Sequence, residues 1–285
     1  MSFLPIPTFF QRETLGAKLA IWVGGLIPYR CWKDSKCLFI LSSGRTGSLS
    51  TIKLLNMSPQ VEAYHEPSPR VRSASKSAYY EQYINPDKYR QLFIRARSLK
   101  ITYSNVRRKI YAEATYMIYL SSLIADLLPN SRFLHLYRHP AAFVRSGMRR
   151  GWYNRHSFDQ YRLEPSRNDP IRKEWDNWPR FSKILWVWQA VNEYILKLQE
   201  QIDRSRFLSV KHEDLALAET EKYKELFAFL GVSCPPHEDV CSLLSVKYNA
   251  QTEGHFHKLE EWTYEETRAL KEIAWGTMAK LGYRL

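Results

Sequence analysis

The chain has 285 residues, of which 45% are hydrophobic and 25% are charged. These values exclude a largely disordered chain and are typical of one large α/β domain, or of one domain with insertions. The formal net charge of +13 predicts anionic partners, such as nucleotide phosphates, anionic polymers, nucleic acid or an acidic membrane surface.

The first 35 residues contain one apolar patch, Leu19 to Ile27. This patch is too short and too rich in glycine to span a bilayer, and no A-x-A-like cleavage site of a signal peptide follows it. We predict that residues 1–35 form a helical segment that packs on a single domain of residues 36–285. The alternative is an interfacial helix that associates with a membrane surface.

The cysteine pattern bears on metal binding and on the compartment. The four cysteines include no CxxC pair, which argues against a zinc site. So few cysteines suit a reduced compartment, and one disulfide is also compatible with them. We therefore expect a cytoplasmic protein without a bound metal, or one that is peripheral to a membrane.

A buried strand, a glycine-containing loop and a helix follow one another between Cys37 and Ser50. This order is typical of an anion-binding site, because backbone N–H groups and the helix dipole favour negative charge. A plain strand-turn-helix connection is the alternative interpretation of the loop taken alone. Gly47 is followed by Ser48 and Leu49 instead of the Lys-Ser/Thr pair of a Walker A loop. The residues that we expect to bind an anion are Ser43, Gly44, Arg45, Thr46, Gly47 and Ser48.

The next predicted strand, Val61 to Tyr64, ends in His65 and Glu66 before two prolines. Ligands bind at the carboxyl ends of strands in open α/β sheets, so His65 and Glu66 are candidate site residues. Farther along the chain, the pattern predicts short strands at Ser98–Tyr103 and Ile110–Glu113, and a helix that contains Met117 to Leu127.

A second well-marked strand, Ser131 to Tyr137, ends in Arg138-His139-Pro140. Pro140 suits the first turn of a helix. Ser146 comes eight residues after Arg138, on nearly the same face as the start of that helix. Arg138 and Ser146 could therefore hold a second phosphate.

Residues 152–179 interrupt the helical pattern and predict a long loop with short helical pieces. A long amphipathic helix follows, with apolar positions from Ile184 to Leu198, and then a strand at Phe207–Val210. Gly231 is a predicted helix end, and a capping box at Thr263 opens the last helix. Strands that alternate with helices predict an α/β fold with a parallel, doubly wound sheet.

Several ordered segments resemble the PAPS-dependent sulfotransferase family. SSGRTGS is similar to the 5′-phosphosulfate loop, and FLHLYRHPAAFVRS to the 3′-phosphate segment. FLSVKHEDL resembles the strand that ends in Tyr-Glu-Asp-Leu, and KLGYRL resembles the common C-terminal ending. The resemblance extends from about Cys37 to the end of the chain, and it implies a central parallel sheet flanked by helices in a P-loop NTPase-like fold.

The resemblance implies roles for the residues of both anion-binding segments. Arg45 would contact the 5′-phosphosulfate of the co-substrate PAPS, and the loop residues from Ser43 to Ser48 would supply N–H groups and hydroxyls. Arg138 and Ser146 would hold the 3′-phosphate. No metal is implied.

The resemblance leaves the catalytic base and the lid less well defined. Glu66 resembles the Glu base of the tyrosylprotein and carbohydrate branches, and we favour it over its neighbour His65. His212 stands where the family usually has Tyr, so a nucleotide contact there is in doubt. The cytosolic branch closes its site with an Arg-Lys-Gly loop, whereas residues 251–258 offer His255, His257 and Lys258 instead.

The resemblance implies that the acceptor is a hydroxyl or amine. The basic charge of the chain favours a carbohydrate or another polar or anionic molecule as that acceptor. Four aromatic residues of the insertion could stack on it or could simply close the domain edge: Trp152, Tyr153, Trp175 and Trp178. Two other functions remain open. A P-loop kinase or NTPase lacks its Walker lysine here, and a non-catalytic basic module for nucleic acid or membrane has no nucleic-acid motif to support it.

Overall fold

The computed structural model describes residue 10 and residues 13–81, 84–218, 221–246, 248 and 254–284. A five-stranded sheet in the order β2-β3-β1-β4-β5 lies at its centre, and every neighbouring pair of strands is parallel. The predicted parallel α/β sheet is therefore confirmed. The strands are β1 (Cys37–Leu41), β2 (Val61–His65), β3 (Ile110–Ala114), β4 (Ser131–Tyr137) and β5 (Phe207–Lys211).

The central strand β1 buries every one of its side chains, because helices cover both faces of the sheet. Phe39 belongs to the apolar core on one face and Ile40 to the core on the other. The described helices are α1 (Leu15–Leu26), α2 (Ser48–Leu55), α3 (Arg72–Glu81), α4 (Pro86–Val106), α5 (Ser121–Leu127), α6 (Pro140–Arg149), α7 (Arg180–Gln201), α8 (His212–Ala216), α9 (Lys222–Leu230), α10 (His237–Ser245), α11 (Tyr264–Ala269) and α12 (Trp275–Lys280).

Local signals in the sequence set several helix ends. Pro140 is the first residue of α6, and His139 caps that helix by accepting the N–H of Ala141 at 3.2 Å. Gly231 ends α9 in the left-handed region, and Thr263 forms the predicted capping box with Glu266. These turns are encoded by neighbouring residues, which explains why the sequence predicts them correctly.

One predicted strand is wrong, because Ser98–Tyr103 lies inside the 21-residue helix α4. Asn85 caps the start of this helix by accepting the N–H of Lys88. Leu92, Ala96 and Ile101 are buried along one side of it, which is helical spacing. The length of the buried stripe therefore outweighs the local β-propensity of residues 98–103.

The helix α1 packs against α4 at very close range. A Cβ atom on Gly24 would lie 2.5 Å from the carbonyl oxygen of Arg95, and Ser98 Oγ donates to the carbonyl of Gly24 at 2.7 Å. The opposite side of α1 exposes Leu15 and Leu19. Among the described residues, no helix is both long enough and apolar enough to cross a membrane.

A buried ion pair fastens α4 to the sheet beside the functional edge. Arg97 and Glu113 are both fully buried, and Arg97 Nε and Nη2 contact the two carboxylate oxygens at 2.6 and 2.7 Å. Tyr111 donates to the same carboxylate at 2.6 Å. Arg97 Nη1 also donates to the carbonyl of Pro69 at 2.7 Å, so the pair supports the segment that follows Glu66.

We predict that Glu113→Gln lowers the free energy of unfolding by about 3–5 kcal/mol, because it leaves the Arg97 guanidinium buried without a counter-charge. Urea unfolding measures this change. Glu272→Gln is the matched control: Glu272 pairs with Arg268 on the exposed surface, so its loss is under about 1 kcal/mol. Equal losses in the two variants would show that the buried pair contributes nothing special to stability.

Candidate functional site

The loop between β1 and α2 curls tightly, since three of its residues have positive φ. Gly44 (85°) and Gly47 (80°) adopt this conformation easily, while Arg45 (58°) pays a steric penalty for it. A Cβ atom at position 47 would also lie 2.5 Å from the His212 ring. The backbone geometry and the packing of His212 therefore both require glycine at position 47.

The structure brings the two predicted anion-binding segments together. Arg45 Nε donates to Ser146 Oγ at 3.1 Å, and Arg138 Nη1 donates to the carbonyl of Arg45 at 3.1 Å. The first of these contacts joins residues 101 positions apart in the chain. The loop after β1 and the start of α6 thus form one cationic surface at the carboxyl edge of the sheet.

Like charges accumulate on this surface. Partial burial, with the neighbouring Arg150 and Arg138, lowers the pKa of Arg45 to about 10, so the guanidinium is still charged at neutral pH. Burial also lowers the pKa of Arg138, although Glu213 opposes that shift. A bound anion would relieve the repulsion between these cations, and the site is electrostatically suited to one.

Three buried polar atoms at this edge have no hydrogen-bond partner within the described part of the chain: Ser43 Oγ, Thr46 Oγ1 and Arg138 Nε. Buried polar atoms are nearly always paired in proteins. The first N–H groups of a helix also lack partners within it, and those of α2 follow this loop. The residues present therefore fit a ligand with several anionic oxygen atoms.

The two candidate bases lie on the other side of the same loop. His65 is the last residue of β2, and its Nε2 is 3.2 Å from Ser48 Oγ. Glu66 forms an ion pair with Arg72. Both residues line a small pocket between the carboxyl ends of β1, β2 and β3. The other lining residues are Ile40, Ser42, Gly44, Ser48, Ala114, Thr115 and Tyr116.

The environment of His65 favours its neutral form. Partial burial lowers its pKa, Glu66 acts in the opposite direction, and the cations Arg72 and Arg45 lower it further. A neutral imidazole can accept a proton at neutral pH. The geometry and charge of the pocket are thus compatible with either His65 or Glu66 as a base.

His212 lies at the junction of the two anion-binding segments. It is the first residue of α8, and its ring packs against Gly47. Burial, followed by the effect of Arg138, lowers its pKa to about 4, while Glu213 opposes this shift. The lowered pKa favours a neutral imidazole at neutral pH, and this ring contacts the loop between β1 and α2.

The predicted lid is tied to α6 through its backbone. Arg145 Nε donates to the carbonyl of Phe256 at 3.1 Å, and His257 pairs with Glu266 at 2.7 Å. The backbone N–H of Lys258 is bound by Glu261, and His255 is exposed. The first three residues of the predicted lid, Gln251, Thr252 and Glu253, lie outside the described residues.

The structure bears on whether the aromatic residues of the insertion could stack on an acceptor or close the domain edge. Trp152 and Trp175 are 7% and 2% exposed, and Tyr153 and Trp178 pack against the same core. The Arg162 guanidinium lies 3.7 Å from the Trp152 ring centroid. The burial of Trp152 and Trp175 means that these two rings close the domain edge instead of facing a ligand, whereas Tyr153 and Trp178 are partly buried.

Some residues of the site are not evident from the sequence. Thr115 and Tyr116 follow β3 just as His65 and Glu66 follow β2, but this edge becomes apparent only once β3 is placed between β1 and β2. Glu213 is the other case. It accepts the backbone N–H of His139 at 2.9 Å, and no spacing rule predicts that contact.

The fold and the two cationic segments define a parallel α/β protein whose carboxyl sheet edge is suited to an anionic ligand. A model described as the sulfotransferase family matches residues 38–236. The chain belongs to this family, which confirms the predicted resemblance to sulfotransferases. Within the described residues, no group of three or more His, Cys, Asp or Glu side chains could hold a metal ion.

Solved structures of the same fold are similar to this chain at low sequence identity. Sulfotransferase STF9 from Mycobacterium avium is 13% identical, covers 98% of this chain and 87% of its own, and has a TM-score of 0.55. The sulfotransferase domain of the Synechococcus PCC 7002 olefin synthase is 18% identical, with coverages of 89% and 97% and a TM-score of 0.51.

A sulfotransferase from Alicyclobacillus acidocaldarius is 16% identical, covers 87% of this chain and 96% of its own, and has a TM-score of 0.50. A comparison with curated proteins finds no match. At these identities the structural likenesses establish the fold, while the family model establishes the membership.

Proposed function

We propose that the protein transfers a sulfuryl group from PAPS to a hydroxyl or amine acceptor. The observation that carries the proposal is the convergence of Arg45, Arg138 and Ser146 at the carboxyl edge of the sheet. PAPS has phosphate groups on both sides of its ribose, and a protein that binds it needs two linked anion sites. A nucleoside triphosphate needs only one.

Each segment has a distinct task in this proposal. Arg138 and Ser146 bind the 3′-phosphate, and the buried hydroxyls of Ser43 and Thr46, with the N–H groups of Gly44, Gly47 and Ser48, bind the 5′-phosphosulfate. The 3′-phosphate replaces the hydrogen bond between Arg45 and Ser146. Arg45 then turns to the 5′ side and stabilises the charge that develops on the leaving phosphate.

Sulfuryl transfer, like phosphoryl transfer, is an in-line displacement with a loose transition state. The acceptor oxygen or nitrogen forms a bond to sulfur as the bond from sulfur to the 5′-phosphate oxygen breaks. The base removes the proton of the acceptor. The pocket that joins the loop to His65 and Glu66 is the place where these events meet.

Glu66 is our preferred base, with His65 as the alternative. Glu66 lines the pocket, and the Arg72 ion pair holds its carboxylate in a fixed orientation. The Arg72 guanidinium in turn lies 5.1 Å from the Phe158 ring and 5.7 Å from the Tyr161 ring. The insertion thereby reaches the base through Arg72.

The acceptor that fits these surroundings is a carbohydrate or another polar or anionic molecule. Phe158 is 45% exposed, so this ring, in place of the buried tryptophans, is available for stacking on a sugar. The sulfotransferase match favours an enzyme over a non-catalytic basic module. The absence of a Walker lysine after Gly47 continues to argue against an NTPase.

One prediction of the proposed function concerns the 3′-phosphate. Adenosine 3′,5′-bisphosphate (PAP) binds the wild-type protein more tightly than AMP does. Arg138→Ala weakens PAP binding about 100-fold and AMP binding much less, since for AMP it removes only the hydrogen bond to the carbonyl of Arg45. Isothermal titration calorimetry measures both affinities. Arg268→Ala, at an exposed arginine of α11, is the matched control. Equal affinities of the wild-type protein for AMP and PAP would contradict the 3′-phosphate site.

Another prediction of the proposed function concerns the base. Glu66→Gln lowers kcat about 10²–10⁴-fold, because proton removal loses its base, while PAP affinity stays near that of the wild type. Steady-state sulfuryl transfer from PAPS provides the measurement. Glu62→Gln is the control on the same strand, since Glu62 binds Ser104 and Arg107 of α4 and its flank. Full activity of Glu66→Gln, together with a loss in His65→Asn, would transfer the role of base to His65.

A further inference from the structure

The backbone that carries Arg138 is held from both sides by other elements. Trp188 Nε1 of α7 donates to the carbonyl of Arg138 at 2.8 Å. The next backbone N–H, that of His139, donates to Glu213 Oε1 at 2.9 Å. The direction in which the Arg138 side chain leaves β4 therefore depends on where Glu213 is placed.

Glu213 is itself held by the segment that follows α12. Tyr283 OH donates to Glu213 Oε2 at 2.9 Å, so each carboxylate oxygen has its own donor. The Tyr283 ring packs edge-on against Tyr137 and His139, at centroid distances of 5.8 and 5.0 Å. Lys211 Nζ donates to the carbonyl of Gly282 at 3.0 Å. The contact between Tyr283 and Glu213 spans 70 positions of the chain.

A carboxylate close to an anion-binding arginine can compete with the anion for the guanidinium group. The negative charge of Glu213 acts on Arg138, and it opposes the lowering of the pKa of that arginine by burial. Arg138 Nε, meanwhile, is a buried donor without a partner in the described part of the chain. A Glu213 side chain released from Tyr283 could pair with Arg138 and would then compete with a phosphate for the same guanidinium.

We propose that Tyr283 is a positioning residue for 3′-phosphate recognition, which acts by holding the Glu213 carboxylate away from Arg138. The inference rests on the proposed function, since it assumes that Arg138 binds the 3′-phosphate. Burial and the adjacent Glu213 raise the pKa of Tyr283, so the phenol keeps its proton and remains a donor at neutral pH. The segment after α12 thus belongs to the nucleotide site without touching the nucleotide.

The test is Tyr283→Phe, which keeps the ring and removes only the donor. We expect its PAP affinity to fall about tenfold, the loss typical of a hydrogen bond to a charged group, with AMP affinity within about twofold of the wild type. Calorimetry with PAP and AMP measures both, and thermal unfolding checks that the variant is folded. Tyr264→Phe, at a tyrosine that is 78% exposed, is the matched control.

A second variant separates the charge of Glu213 from packing. Glu213→Gln keeps a carbonyl oxygen for the N–H of His139 but cannot form an ion pair with Arg138. The double variant Glu213→Gln/Tyr283→Phe should therefore regain PAP affinity to within about threefold of the wild type. A purely structural role of Tyr283 would not be rescued in this way, because the double variant restores no packing.

Each other outcome overturns the inference. Unchanged PAP affinity in Tyr283→Phe, an equal loss for AMP and PAP, or a loss that Glu213→Gln does not rescue would each exclude the proposed role of Tyr283. These results leave the proposed function intact as long as the wild-type protein prefers PAP to AMP. If the wild-type protein shows no such preference, the 3′-phosphate site fails, and the role of Tyr283 fails with it.

Discussion

The hydrogen bond from Arg138 to the carbonyl of Arg45 joins the loops that follow two neighbouring strands, β1 and β4. It brings guanidinium groups together at a half-buried edge, where burial, with the added repulsion of Arg150 and Arg138, lowers the pKa of Arg45. Such an arrangement is unfavourable in the free protein and becomes favourable when an anion with charges on both sides binds. Most other features of the site support this arrangement.

The supporting residues form a shell around the two loops. The His212 ring packs on Gly47, Trp188 and Glu213 fix the backbone around Arg138, and the pair of Arg97 and Glu113 holds the chain after Glu66. These residues make no proposed contact with the reacting atoms. They hold the backbone of the two loops and of the segment after Glu66 in place.

The sequence predicts those parts of the site that are local. The strand, the glycine loop and the helix start occupy consecutive positions, and Ser146 follows Arg138 by only eight positions, so their chemistry and spacing appear in the printed chain. The parallel sheet follows from the alternation of strands and helices. The fold that the resemblance implies is confirmed by the family match.

Contacts between distant parts of the chain could not be predicted in this way. Residues 98–103 have strand propensity, but the burial of α4 along one side makes them helical. Trp152 and Trp175 of the insertion are aromatic neighbours of arginines, and only the packed core shows that these two rings are buried. The contact of Tyr283 with Glu213 depends on how α12 returns to the sheet, which no local pattern specifies.

The most direct measurement of the central claim is transfer of radiolabelled sulfate from PAPS to a panel of carbohydrate, lipid, phenol and peptide acceptors. We predict label on at least one acceptor, formation of PAP in equal amount, and loss of the transfer in Arg138→Ala. If no acceptor is labelled while magnesium-dependent turnover of ATP is observed, the site binds a triphosphate and the assignment of the two anion-binding segments is wrong.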